Sequence, residues 1–173
     1  MLSPNQRRVL STAVALSALV VTAQPATAAV LPGVTAAYSV TASAHNKPRN
    51  LVFTLANSDI ASTFTFAFTL TLPTGTTPLG GESSTCTDTT ISDTPPVDPG
   101  GGGIPGGRAA LVADVLYVDG TMTSLTPTCT VTIPLTAATE GVYSTCSADL
   151  ADLAGLTPLA TCASIYFAEP YAS

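Results

Sequence analysis

The chain has 173 residues, room for one domain or one domain and a tail; only 9% are charged, none is tryptophan, and the formal charge is −6. A balance this acidic gives no electrostatic reason to bind nucleic acid or an anionic membrane. Low charge alone is compatible with a membrane protein, yet the only long apolar run is N-terminal.

That run is laid out as a secretory signal. Arg7 and Arg8 precede an apolar stretch, Val9 to Val21, which Ser and Thr interrupt and which is shorter than the roughly 20 residues a membrane span needs. Ala26-Thr27-Ala28 is a small-x-small cleavage site. We expect residues 1–28 to be removed and 29–173 to form one domain with its core at about 34–168. Losing the two arginines leaves three bases against eleven acids, a formal charge of −8. No Cys follows the apolar run to accept a lipid, and Glu169 to Ser173 carries neither an apolar tail nor a basic stop. Leu72-Pro73-Thr74-Gly75 lies mid-chain and lacks the intervening residue of a sorting signal. The expected location is extracellular, with no membrane attachment after cleavage.

Taken in order, Val34, Ala36, Tyr38, Val40 and Ala42 alternate with small and hydroxylic residues, predicting a first strand with a light core face. A polar turn follows, His45-Asn46-Lys47-Pro48-Arg49-Asn50. Leu51, Phe53 and Leu55 then alternate with polar positions, and after the turn residues Asn57, Ser58 and Asp59 so do Phe64, Phe66, Phe68, Leu70 and Leu72. Burying those last five contributes roughly 8–15 kcal/mol gross, at about 1.5–3 kcal/mol each, most of it offset by chain entropy. From Thr76 the period is lost, with room for a short strand around Cys86 between Glu82 and Ile91. Thr94 to Arg108, with paired prolines and four consecutive glycines, predicts a flexible loop. It is not a phosphate-cradling loop, because Arg108 precedes a strand and no Gly-Lys-Ser/Thr opens a helix.

Ala109 to Val118 is apolar on both parities and predicts a central strand, ended by Asp119-Gly120 as a hairpin turn. Cys129, Val131, Ile133 and Leu135 share one face, and Pro134 predicts an edge or a strand end. Strands are expected from Gly141 to about Leu150 and near Leu159 to Ala168. A helix through Leu150, Leu153 and Leu156 capped by Ser147 is disfavoured, since Gly155 and Pro158 cut it short.

The four cysteines, Cys86, Cys129, Cys146 and Cys162, allow three pairings. We expect Cys86–Cys129 and Cys146–Cys162. The second follows from a hairpin turning near Ala154-Gly155, which sets residues 146 and 162 opposite each other. Spacings of 43, 17 and 16 residues without a Cys-x-x-Cys knuckle do not suit structural zinc.

The runs LVFTLANSD, TLTLPTG, a lone Cys, CTVTIPLT and GVY occur in this order. In this they resemble the immunoglobulin-like conserved-repeat domains of bacterial secreted and surface proteins, known as domain of unknown function 11 and its relatives. The resemblance covers about Val34 to Ala168. It implies a β-sandwich, a bridge between Cys86 and Cys129, and no catalytic residues. The chain departs from the pattern in having Ser144-Thr145-Cys146 after Tyr143, where Asn is common, in its Cys146/Cys162 pair and in its long Gly/Pro loop. With room for one copy, it does not match the tandem arrays in which such domains act as stalk spacers.

Candidate chemistry is sparse. His45, the only histidine, sits beside Lys47 and Arg49 with no sequence partner for a triad and reads as a solvated loop residue. Asp114 and Asp119 are the best carboxylate pair for glycoside hydrolysis; Asp114, among apolar neighbours, better suits facing solvent or capping a loop. Asp88, Asp93 and Asp98 lack the offsets of a calcium loop and read as solubilising charges. Tyr143 fits a corner tyrosine whose hydroxyl bonds back to the backbone; Tyr38, Tyr117 and Tyr166 read as core or core margin.

The expected fold is therefore all-β, an immunoglobulin-like β-sandwich of seven to nine antiparallel strands with two disulfides. The expected function is a secreted non-enzymatic module in adhesion, structure or protein association, its partner a protein or cell-envelope component and its contacts drawn from the loops at 45–50 and 94–108. No catalytic residue, metal or cofactor is expected. The alternative is a small secreted protease inhibitor, against which four consecutive glycines weigh, because an inhibitory loop is rigid.

Overall fold

A computed structural model describes residues 30–59, 61–95 and 114–169. The expected signal segment, the Gly/Pro loop beyond Pro95 and the first five residues of the expected 109–118 strand lie outside them. The strands are β1 (Gly33–Tyr38), β2 (Ala42–Ala44), β3 (Arg49–Ala56), β4 (Phe64–Thr71), β5 (Thr76–Pro78), β6 (Ser83–Ser84), β7 (Thr87–Ser92), β8 (Val115–Met122), β9 (Thr128–Ala137), β10 (Gly141–Thr145), β11 (Leu150–Ala154) and β12 (Ala163–Ala168). Nine of these twelve have five or more residues, and one 3-10 turn, Ser147–Asp149, stands among them. The fold is an all-β sandwich.

One layer has the order β1-β3-β9, with β5 and β6 end to end along the far edge of β9; the facing layer is β11-β4-β8-β7. A smaller sheet, β10-β12-β2, completes the fold, and its β12–β2 pairing is the one parallel ladder among otherwise antiparallel pairs. The alternation in β3 and β4 sets the two main layers face to face. Leu51, Phe53 and Leu55 are fully buried, as are Phe66, Phe68, Leu70 and Leu72 apart from a few per cent, while Phe64 is half-buried at the margin. The Phe53 and Phe68 rings meet across the interior at 5.4 Å between centroids, tilted by 51°. From β9, Cys129, Val131, Ile133, Leu135 and Ala137 all point into the same core.

Several expectations are corrected by long-range pairing. The first strand does not run unbroken from Val34 to Ala42. It pairs with β3 as β1, bends at Ser39–Thr41, and joins β12 as β2. The short strand expected around Cys86 is two pieces, β6 bound to β9 and β7 bound to β8, so the chain changes layer at Cys86. The strand expected from Gly141 to Leu150 is also two pieces. β10 pairs with β12, and after the 3-10 turn β11 pairs with β4. The simple hairpin about Ala154-Gly155 is therefore absent, yet β10 and β12 still pair with Thr145 opposite Ala163, and Cys146 bridges Cys162 one step beyond. The other bridge joins Cys86 to Cys129, Cα to Cα 5.0 Å.

Pro134 is not at an edge: it lies within β9, opposite Asn50 of β3. Leu79 N donates to its carbonyl at 3.0 Å, which places the polar edge of Pro134 on the β5/β6 side. There β5 stops at Pro78 and β6 starts at Ser83, so the missing N–H falls in a gap where no ladder bond is required.

Asp119-Gly120 is not a turn either; both residues are inside β8. Gly120 is opposite Phe66, and a Cβ on it would lie 2.7 Å from Phe66 Cζ and 2.9 Å from Thr89 Oγ1. The glycine leaves room for the phenyl ring. Gly155 serves a close approach as well as a turn: its φ is +69°, and a Cβ there would lie 2.2 Å from the Thr65 carbonyl oxygen.

Gly120→Ala is expected to destabilise the mature protein by about 1–3 kcal/mol through overpacking. Gly155→Ala meets backbone in place of a movable ring end and adds positive-φ strain, so its cost is expected to be the larger. Urea denaturation of both variants checks the ranking.

Candidate functional site

The sequence-derived candidates separate into groups bonded into the scaffold and groups open at the surface. Tyr143 belongs to the first. Its hydroxyl donates to the Thr139 carbonyl at 3.0 Å and shares a 2.7 Å hydrogen bond with the Thr139 hydroxyl. The ring lies between Gly75 and Gly141 and stands edge-on to Phe167, centroids 5.7 Å apart. This is the corner role expected of it, and it pins the β9–β10 connection to the interior.

The turn at His45–Asn50 is braced on several sides. His45 N donates to Ala168 O at 2.9 Å, Asn46 N to Ala137 O at 2.8 Å, and Thr136 Oγ1 to Lys47 O at 3.2 Å. His45 Nδ1 lies 3.2 Å from the Ala138 carbonyl oxygen, which it can reach as a donor. All four cysteines are in bridges, so no thiol is available for His45 to activate. Among the described residues no group of three or more His, Cys, Asp or Glu is placed to hold a metal.

Asp114 and Asp119 do not form a carboxylate pair. Asp114 precedes β8 and Asp119 lies five residues on, roughly 16 Å along an extended chain and of opposite parity. Asp119 instead shares an open groove of about 300 Å³ with Asp88, together with Thr65, Ala67, Thr121 and Ala154. The floor is the outer face of β4 and β8, where Ala67 is opposite Asp119 and Thr65 opposite Thr121. Asp88 reaches it because β7 bulges between Thr87 and Thr90, leaving Asp88 at φ 47°. A second bulge, in β11, puts Asp152 at φ 51° on the other side of β4, where it accepts from Thr69 Oγ1 at 3.0 Å. The Asp88–Asp119 neighbourhood was not readable in the sequence: a bulge in one strand and the register of another create it.

Tyr38 and Thr145 meet inside the sandwich, hydroxyl to hydroxyl, at 3.0 Å. Burial pushes the Tyr38 hydroxyl above its ordinary pKa; the hydrogen bond from Thr145 opposes this and the nearby Asp149 charge adds to it. Tyr117 is half-buried, whereas Tyr166 is not core. It stands on the outer face of β12, 39% exposed, opposite Val142 at 69%, and its hydroxyl donates to Glu140 Oε1. No helix among the described residues is long and apolar enough to cross a membrane.

No protein-family model matches the chain, and no curated protein matches it. Among solved structures it is similar to a non-cellulosomal cohesin from the hyperthermophilic archaeon Archaeoglobus fulgidus, with 8% identity and a TM-score of 0.47, over 79% of this chain and 92% of that one. It is also similar to two structures of the major pilin subunit of Bacillus cereus, with 10% and 11% identity and TM-scores of 0.45 and 0.41. Each covers 78% of this chain and 40% of the pilin chain, so the likeness spans less than half of that subunit.

The raised pKa of Tyr38 fixes the sign of one pH effect. The unfolded chain loses this proton near pH 10 and the folded chain only above that, so the stability it contributes is present below about pH 10 and is lost as pH rises through the folded value. Denaturation midpoints measured from pH 8 to 11 are expected to fall more steeply for the wild type than for Tyr38→Phe.

Proposed function

We propose that the chain is a secreted, non-enzymatic immunoglobulin-like module that acts by protein association or adhesion in the bacterial envelope or outside the cell. Residues 1–28 are the signal in this reading and 29–173 the exported domain. One observation carries it: the buried hydroxyl and amide side chains are bonded within the scaffold, and the unpaired charges are outside except at Arg49, whose Nε is buried without a partner among the described residues. Ser43 donates to Ala44 O, Asn57 to Ser62 O, Thr76 to Pro73 O, and Thr145 pairs with Tyr38. Lys47, Asp88 and Asp119 are exposed and have no side-chain partner among the described residues. Interior polar groups thus fix a shape, and the surface is left to make contacts.

Two further features support export and association. Both disulfides suit an oxidising compartment. Val142 and Tyr166 place two large apolar side chains next to each other on an outer sheet face. The residues behind the resemblance to the conserved-repeat domains of unknown function, Leu51 to Asp59, Thr69 to Gly75 and Cys129 to Thr136, fall on β3, β4, β9 and the turns that follow the first two. That placement supports kinship with those domains.

The mature chain, immobilised and exposed to envelope and medium fractions of the producing cell, is expected to retain a specific protein partner that free chain competes off. Tight stoichiometric inhibition of a member of a protease panel would overturn the reading in favour of an inhibitor.

A further inference from the structure

We propose that copies of this chain associate head to tail, the basic turn of one copy seated in the acidic groove on the β4–β8 face of the next. This rests on the protein-association reading and names a second copy as the partner.

The two surfaces complement each other in charge. Lys47 and Arg49 are the only permanently cationic side chains among the described residues, and they share one turn. Neither has a carboxylate partner among those residues; Arg49 Nη1 donates only to the adjacent Pro48 carbonyl. The turn's backbone is already held by bonds to Ala137, Ala168 and Thr136, so docking it orders little further chain. In the groove, Asp88 and Asp119 are two exposed carboxylates in one depression, and neither has a hydrogen-bond or ion-pair partner among the described residues. The two cationic side chains match these two carboxylates in number and are opposite in sign.

Placement makes the contact intermolecular. The C-terminal end of β4 lies with the basic turn: Thr76, just beyond it, pairs with Ala137, which also binds Asn46 N. The groove lies around Thr65 and Ala67, toward the other end of the same strand. From Ala67 to Leu72 is roughly 17 Å of extended chain. A turn near one end and a groove toward the other cannot satisfy each other within one molecule. Between molecules, a contact that the same partner does not return propagates, giving an open string or a closed ring, and the proposed head-to-tail arrangement is of this kind. The overall charge opposes this, so the contact is short-ranged and is expected to be weak in dilution and to dissolve at high salt.

Sedimentation velocity on the mature chain, up to about 1 mM in 0.1 M salt, tests it. The average sedimentation coefficient is expected to rise with concentration past the dimer value and to return to the monomer value in 1 M salt. Lys47→Glu/Arg49→Glu and Asp88→Lys/Asp119→Lys are each expected to be monomeric. Mixed together they are expected to associate again, since the intact turn of one meets the intact groove of the other and the two reversed surfaces are also opposite in charge. Arg49 is partly buried, so Lys47→Glu alone, with its melting curve matched to the wild type, serves as a second variant and is expected to weaken association by about tenfold or more. A wild-type monomer at 1 mM, or charge variants that assemble like the wild type, overturns the proposal. So does calorimetric calcium binding that Asp88→Lys/Asp119→Lys abolishes in a chain that stays monomeric. Capture of a different envelope protein by a monomeric chain overturns this proposal alone and leaves the association reading standing.

Discussion

The packing of β3 against β4 is the contact on which the rest of the molecule depends. Together they supply four of the chain's five phenylalanines, and the tilted Phe53–Phe68 pair lies between their layers. A strand shows alternate residues to opposite sides, so committing Phe66, Phe68 and Leu70 to the interior commits Thr65, Ala67, Thr69 and Thr71 to the exterior. The outer face is therefore small and hydroxylic by necessity. A one-residue slip would invert every one of these assignments, which makes the register strongly specified.

Where the signal is local, the sequence predicts the fold well. The periods in β3, β4 and β9 place their core faces, and Tyr143 with its upstream Thr139 is a contact four residues long. The misplaced features are those that a distant strand decides. Asp119-Gly120 has the composition of a hairpin turn, but Phe66 on another strand needs the space that Gly120 leaves. Pro134 has the composition of an edge, but its missing donor faces a break between two short partners. In both cases the residue type was informative and the local interpretation was not, because glycine and proline each serve several purposes. The candidate groove was illegible for the same reason. Asp88 and Asp119 are 31 positions apart, and only the β7 bulge and the β7–β8 register set them in one depression.

The two sulfur bridges have a common location in the topology. Cys86 stands between β6 and β7, which belong to opposite layers, and Cys146 stands between β10 and β11, which pair with different neighbours. Each bridge thus fixes a point where the chain leaves one sheet for another and where no ladder bond can hold it. In the chain-entropy account, loops of 43 and 16 residues correspond to roughly 4 and 3 kcal/mol. A domain that breaks its strands at such points depends on those covalent anchors more than a plain sandwich does.

The bulges are the remaining departure from regular pairing. Asp88 and Asp152 both have left-handed backbone, uncommon for a residue with a side chain, and both sit at register shifts on strands at the two sides of the β4–β8 face. Asp152 is bonded to Thr69, which offers a local reason for its conformation. Asp88 has no such bond among the described residues, yet it is the one that shares the groove with Asp119. Bulges re-aim side chains and interrupt edge pairing, and β7 is the edge of its sheet. The same irregularity therefore blunts strand-to-strand aggregation at this edge and turns a carboxylate toward the face. Contact through that face then has to come from side chains.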